Sequence, residues 1–183
     1  MRVFAGLPMP GAIIQRINCI LSFFKERHKG LKLVKPEGIH ITLFFFGELS
    51  EDKVNEIISL MDSPDIHRQK IKTAINGIGQ FPGRGNPRVI FLNIKEGKDK
   101  IIEYYNTYLK LIGQAGYKSQ DKDKKYEPHI TIARNKREKL KYNYLEDAPG
   151  IEEVFYLDRC VLFNSVLKPQ GAEYFPLKTV MFK

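Results

Sequence analysis

Apolar positions along the chain fall into short β-prone runs and three longer stripes at helical spacing. The stripes predict helices at about 11–28, in the segment that begins after Ser50, and at about 98–113. In the third helix, the stripe predicts burial of Ile101, Ile102, Tyr105, Leu109 and Ile112. The β-prone runs predict about seven strands, at 2–7, 40–46, 71–78, 88–94, 129–134, 153–163 and 174–182, with a short strand or extended link at 31–34.

The order of these elements indicates the fold class. Strand, helix, strand, helix, two strands, helix and three strands favour an α+β fold with antiparallel pairing over a doubly wound parallel sheet. The two halves of the chain carry similar helix and strand material, and no low-complexity linker separates them. We therefore predict a single compact bilobal domain over 1–183. Two pseudo-symmetric antiparallel-sheet lobes, with helices outside, would face a central cleft.

One short phrase occurs once in each half. Residues 40–42 read His-Ile-Thr, and residues 129–131 repeat it in a second apolar run. Because successive strand residues point to opposite faces, each His shares a face with its Thr, while Ile41 and Ile130 point into a core. A single His-x-Thr in a strand is more often structural, but two copies in matching contexts indicate a functional site in the cleft.

Composition and charge narrow the class of partner. The 183 residues carry a formal net charge of +9, which favours an anionic partner such as nucleic acid, although a lysine-rich solvated surface gives the same charge. No run approaches the roughly 20 apolar residues that cross a bilayer. The first residues lack the apolar region and the cleavage site of a signal peptide, so we expect a cytoplasmic protein and, further, a monomer.

The paired motifs permit acid–base chemistry at a phosphodiester. One neutral imidazole can take a proton from an attacking hydroxyl or water, and the other, protonated, can give a proton to the leaving oxygen. His40 and His129 are the candidates, and the residues alone leave open which of them is the acid. The hydroxyls of Thr42 and Thr131 can donate to nonbridging phosphate oxygens. No metal-binding or cofactor motif is present, so we predict neither a metal nor a cofactor.

Basic residues near the second motif are candidates for phosphate binding. Arg134 follows Thr131 by three positions, and strict alternation points it away from the histidine face unless the strand bulges or ends. The basic segments 118–125 and 134–141 are predicted to form one bank of an RNA cleft, or else to be solvated loops. Arg84 and Arg88 are weaker candidates, with no assigned role.

These motifs and both chain ends resemble one family. Residues 2–8 resemble its opening strand, 39–43 with the tail 45–48 resemble its first motif, and 128–134 resemble its second. Ser-Val-Leu at 165–167, followed by Gly171 and Tyr174, resembles its final hairpin. The chain is thus similar over nearly its whole length to the two-histidine (2H) phosphoesterases. Within them, it resembles the bacterial and archaeal 2′-5′ RNA ligase family, also called RNA 2′,3′-cyclic phosphodiesterases.

The resemblance implies an activity and roles. It implies hydrolysis of a 2′,3′-cyclic phosphate at an RNA end, for example of a tRNA fragment, to a 2′-phosphomonoester. It also implies a reverse activity that joins such an end to a 5′-hydroxyl through a 2′-5′ linkage. By the family pattern, His40 is the proton donor and His129 the proton acceptor, with Thr42, Thr131 and the substrate-binding Arg134 beside them.

Two other hypotheses remain open from the sequence. One is a 2H phosphodiesterase that acts on small cyclic nucleotides or on an ADP-ribose cyclic phosphate. The other is a nucleotide- or RNA-binding module without turnover, which the presence of two proton-transfer groups argues against. Turnover of a cyclic-ended oligonucleotide compared with a cyclic mononucleotide separates the two enzyme hypotheses.

Overall fold

The computed structural model describes residues 1–64, 66, 68–117, 125–136, 139–140, 144–169 and 171–183. Within these residues the chain forms three α-helices, at the predicted places, and nine strands. Their bounds are β1 Arg2–Pro8, α1 Gly11–Arg27, β2 Leu31–Leu33, β3 His40–Glu48, α2 Glu51–Met61, β4 Ile71–Phe81, β5 Val89–Glu96, α3 Lys98–Gln114, β6 His129–Asn135, β7 Glu152–Leu157, β8 Arg159–Lys168 and β9 Gly171–Met181.

All strands join one antiparallel sheet that divides into two four-stranded halves. The order is β9-β8-β1-β3 in one half and β6-β5-β4-β7 in the other, and β2 pairs with β6. Between the halves, β3 and β6 share a single paired position, Ile41 opposite Ile130. This architecture confirms the predicted α+β class with antiparallel pairing, and each motif strand is the innermost strand of its half.

The three helices supply the core on one face of the sheet. The predicted stripe of α1 is buried, and α2 begins after Ser50, whose side chain accepts a hydrogen bond from the Lys53 amide. The helix stripes pack in one hydrophobic cluster with Val3, Ala5 and Leu7 of β1. Ile41 and Ile130 belong to the same cluster and are fully buried, as predicted, so their His and Thr neighbours lie on the opposite face.

Two predictions of secondary structure were wrong in detail. The α3 stripe buries Ile101 and Ile112 as predicted, but Tyr104 and Tyr108 complete it. The predicted Ile102, Tyr105 and Leu109 are only half-buried beside this stripe. The β-prone run 153–163 is two strands, β7 and β8, which separate at Asp158 and lie in different halves of the sheet. Among the described residues, no helix has both the length and the apolar character needed to cross a membrane.

Candidate active site

The two motifs occupy neighbouring strands and share one face of the sheet. His40 and Thr42 lie on β3, and His129 and Thr131 lie on β6, on either side of the buried Ile41–Ile130 pair. All four side chains are half-buried on the face away from the helices. The folded chain therefore brings together the four residues that the sequence selected, at the seam between the two halves.

Backbone carbonyls fix the same tautomer in both imidazoles. Nδ1–H of His40 donates to the Gly38 carbonyl at 2.7 Å, and Nδ1–H of His129 donates to the Glu127 carbonyl at 2.8 Å, in each case two residues back. The neutral rings then carry their lone pair on Nε2. Thr42 donates its hydroxyl hydrogen to Nε2 of His40 at 3.0 Å. Each histidine is thus held with a basic nitrogen available on the motif face.

Aromatic rings enclose each histidine from its own half of the sheet. The His40 ring lies 4.8 Å from the ring of Phe4, 5.4 Å from Tyr174 and 6.1 Å from Phe163, between centroids. The His129 ring lies 5.2 Å from both Phe81 and Phe91, which stack on each other. These walls limit the freedom of each imidazole and reduce its contact with water.

Burial among these rings makes both imidazoles weaker bases. It lowers the pKa of His40 from its ordinary value to about 4, although the Gly38 carbonyl acts in the opposite direction. Burial also lowers the pKa of His129, against the opposing effect of its bond to the Glu127 carbonyl. The charge of Arg134 contributes to lowering both pKa values. Both rings are therefore neutral in the free protein near pH 7.

A bulge in β6 brings Arg134 to the histidine face. Phe91 of β5 pairs with Thr131, but Ile90 pairs with Ala133, so Ile132 is an extra residue. Ile132 and Ala133 are both buried in the core, and the next residue, Arg134, returns to the side of Thr131. Strict alternation along β6 would place Arg134 on the opposite face, and this bulge brings it to the face of the histidines.

The first motif strand contains a bulge at the corresponding position. Gly6 of β1 pairs with Thr42, and Ala5 pairs with Phe44, which leaves Leu43 as the extra residue. Phe45 then lies on the histidine face, at the place in β3 that Arg134 holds in β6. The two motifs therefore match in backbone as well as in sequence, but one ends in an exposed aromatic ring and the other in a cation.

Several residues of the site were missed by the sequence analysis. Gly6 lies under His40, since a Cβ atom there would be 3.0 Å from Cδ2 of the imidazole and 3.1 Å from the Ile41 carbonyl oxygen. Phe4 and Gly6 share a face of β1 by simple alternation, which was a usable signal. The rings of Phe81 and Phe163 come from strands whose neighbours the sequence did not specify, so no local pattern identified them.

The other basic candidates fall outside this constellation. Arg84 and Arg88 are exposed in the connection between β4 and β5. Residues 118–124 of the first basic segment, and 137, 138 and 141 at the second, lie outside the described residues. In the described part of the chain, no group of three or more His, Cys, Asp or Glu residues is placed to hold a metal ion.

Known phosphoesterases resemble this chain in sequence over most of its length. Residues 7–91 match the sequence pattern of the LigT-like phosphoesterases. Over 97% of its length the chain is 32% identical to a Methanocaldococcus jannaschii protein named RNA 2′,3′-cyclic phosphodiesterase, of which it covers 99%. A protein of the same name from Archaeoglobus fulgidus is 29% identical over 97% of the chain and 98% of its own length.

A solved structure from Thermus thermophilus has the same fold. It superposes with a TM-score of 0.86 at 23% identity, and the alignment covers 100% of this chain and 98% of the other. The identity of 32% over nearly the full length of both chains identifies the family of this protein, and the shared fold agrees with it. The chain is an enzyme of the LigT-like phosphoesterase family.

Proposed function

We propose that this enzyme hydrolyses the 2′,3′-cyclic phosphate at an RNA end to a 2′-phosphomonoester by metal-independent acid–base catalysis. The observation that carries the proposal is the pair of His-x-Thr motifs on β3 and β6, with both neutral imidazoles presenting Nε2 on one face. The relatives named RNA 2′,3′-cyclic phosphodiesterase support the choice of substrate.

In this mechanism the two histidines have different roles. His129 takes a proton from water as the water oxygen attacks phosphorus, and the P–O3′ bond breaks. His40 gives its proton to the leaving O3′, so the phosphate remains on O2′. Burial holds the pKa of His40 at about 4 in the free protein, so in this mechanism the ring gains its proton when the substrate binds. The negative charge of the bound phosphate favours protonation of His40, and thus loads the acid when substrate is present.

The remaining residues of the proposed site stabilise charge. Thr42 and Thr131 donate hydroxyl hydrogens to the nonbridging oxygens, where charge develops in the transition state. Thr42 then exchanges its present acceptor, Nε2 of His40, for a phosphate oxygen. Arg134 binds the same phosphate from the end of β6, as its return to the histidine face permits.

The ligation reaction, which is the reverse of cleaving a 2′-5′ linkage, uses the same groups in the same roles as hydrolysis, with a 5′-hydroxyl in place of water. His129 takes the proton of the 5′-hydroxyl as its oxygen attacks phosphorus opposite O3′, the P–O3′ bond breaks, and His40 protonates O3′. The phosphate stays on O2′ and a 2′-5′ linkage results, so ligation belongs to the proposal. We further propose a cytoplasmic monomer, folded as one domain over 1–183, that acts on RNA fragments such as those of tRNA.

The test is hydrolysis of a cyclic-phosphate RNA by His40→Ala, His129→Ala and the double variant, with product isomers identified. Each single variant should lose about 10²–10⁴-fold in turnover, because general acid–base catalysis is typically worth that much. The double variant should lose less than the product of the single losses. His28→Ala, at the end of α1, is the matched control. Near-normal turnover by a folded His40→Ala or His129→Ala protein contradicts the proposal, as does a 3′-phosphate product.

A further inference from the structure

A groove of about 590 Å³ lies near His40, between β1, β2, the end of β6 and the β8–β9 hairpin, and neither histidine itself lines it. Gly38, whose carbonyl holds His40, and Tyr174, whose ring contacts His40, both line it. The rings that enclose His129 do not line it. The groove therefore adjoins the surroundings of His40 and reaches the end of β6 at Arg134, but it does not include the aromatic rings around His129. Its volume falls in the range of about 300–1,000 Å³ that holds a ligand.

Cations outnumber carboxylates in the lining of this groove. Five basic side chains line it, against two carboxylates: Arg2, Lys32, Lys35, Arg134 and Lys136 against Glu37 and Glu173. Glu173 forms ion pairs with Lys168 at 2.5 Å and with Lys35 at 3.2 Å, and these lysines lower the pKa of its carboxyl. Within the described part of the chain, no ion pair joins the other four cations to a carboxylate. They leave a positive surface that suits a chain of phosphates.

Exposed aromatic rings lie among these cations. Phe45 is 43% exposed and Phe175 is 47% exposed, and both line the groove. Aromatic rings beside a basic track are the arrangement on which single-stranded nucleic acid binds, because every base has a face that stacks. A path for an acidic peptide would need the cations but not two exposed rings.

The groove is preformed by contacts across its walls. Tyr174 packs over Gly38, where a Cβ atom would lie 3.1 Å from the ring, and Lys35 joins Glu173 between the link after β2 and β9. These contacts attach the β8–β9 hairpin to the segment that holds His40. A ligand would thus meet a groove that requires little ordering, which favours affinity.

We propose that this groove binds the nucleotides immediately 5′ of the cyclic phosphate, as single-stranded RNA. Lys32 and Lys136 contact backbone phosphates, and Phe175 stacks on a base. The inference rests on the proposed function for the position of the RNA end. It adds that the preferred substrate is an oligonucleotide, because a cyclic mononucleotide reaches the histidines without entering the groove.

The experiment compares Lys32→Gln/Lys136→Gln with wild type on two substrates, a cyclic mononucleotide and a hexanucleotide that ends in a 2′,3′-cyclic phosphate. The double variant should lose about tenfold in kcat/KM on the hexanucleotide and less than twofold on the mononucleotide. Its log–log salt slope should be shallower by about 1.4, since each single-strand phosphate contact contributes about 0.7. Phe175→Ala should weaken RNA binding about tenfold through loss of stacking, with the salt slope unchanged.

The matched control is Lys25→Gln/Lys110→Gln, which removes the same charge from exposed positions on α1 and α3. Equal losses in this control, or equal losses on both substrates, overturn the groove proposal. Fluorescence anisotropy with a labelled hexanucleotide that ends in a 3′-hydroxyl tests binding without turnover. Weaker binding by the groove variant alone supports the groove even if no substrate is hydrolysed, in which case the proposed function fails by itself. Unchanged binding overturns the groove even if hydrolysis is normal.

Discussion

Each histidine is held by a hydrogen bond to a backbone carbonyl and is surrounded by aromatic rings. The carbonyls of Gly38 and Glu127 select the tautomer, and the surrounding rings disfavour the charged form. The hydrogen bond to the carbonyl raises the pKa of each histidine, whereas burial among the rings lowers it. The effect of burial is the larger one at both residues. The free enzyme therefore holds two neutral imidazoles, and in the proposed mechanism His40 becomes an acid when an anionic substrate binds.

This electrostatic balance predicts how stability depends on pH. Because the pKa of His40 is about 4 in the folded state and about 6.5 when unfolded, the unfolded chain binds more protons between these values. The free energy of unfolding should therefore fall as the pH falls from about 6.5 to 4, by at most about 1.4 kcal/mol per pH unit for this residue. Denaturant titrations of wild type and His40→Gln at pH 7, 6, 5 and 4.5 measure the effect.

The variant should show a smaller fall than wild type over this range, because it lacks the group that takes up the proton. His129→Gln should also reduce the fall, since burial lowers the pKa of His129 too. Identical pH dependence in wild type and both variants would show that neither histidine is held neutral by the fold.

At the scale of elements, the strand pairs were less predictable than the strands. Alternation correctly placed Ile41 and Ile130 in the core, but it placed Arg134 on the wrong face because the extra residue Ile132 resets the pattern. A bulge depends on the partner strand, which a single sequence does not specify. The choice of buried tyrosines in α3 was wrong for a related reason. Tyr104, Tyr105 and Tyr108 are equally amphipathic, so only packing decides which ring is buried.

The close approach of β1 to β3 gives an element-scale prediction. Gly6→Ala should reduce kcat about tenfold with little change in KM, because the new methyl group would lie 3.0 Å from His40 and displace its ring. The measurement is steady-state hydrolysis of a cyclic-phosphate RNA, with the unfolding midpoint determined in parallel. Gly11→Ala is the control, since a Cβ atom there meets nothing within 4 Å. Unchanged kcat in a folded Gly6→Ala enzyme would show that the fit under His40 is not needed.

For the whole molecule, the repeated motif indicated two related halves, but it did not indicate how the halves pack against each other. The repeated motif and the balanced halves predicted two related units, and the sheet order has β3 and β6 as the matching inner strands. The junction itself was not predictable, because it depends on partners far apart in the chain. Ile41 pairs with Ile130, and the Tyr126 hydroxyl donates a hydrogen bond to the Thr42 carbonyl at 2.9 Å. His40 and His129 lie on this seam, so their separation depends on how the halves meet.

This dependence gives a prediction about the seam. Ile41→Val and Ile130→Val each remove one buried methylene and should lower the free energy of unfolding by about 0.5–1.5 kcal/mol. Ile57→Val on α2 and Ile101→Val on α3 are matched controls, because both residues are also fully buried and lie away from the seam. All four variants should be similarly destabilised in denaturant titrations. Only the seam variants should also lose kcat severalfold on cyclic-phosphate RNA, at a temperature well below unfolding, because small displacements between His40 and His129 disturb paired proton transfer. Equal kcat values in the seam and control variants would show that the two halves hold the histidines in place without a tightly packed seam.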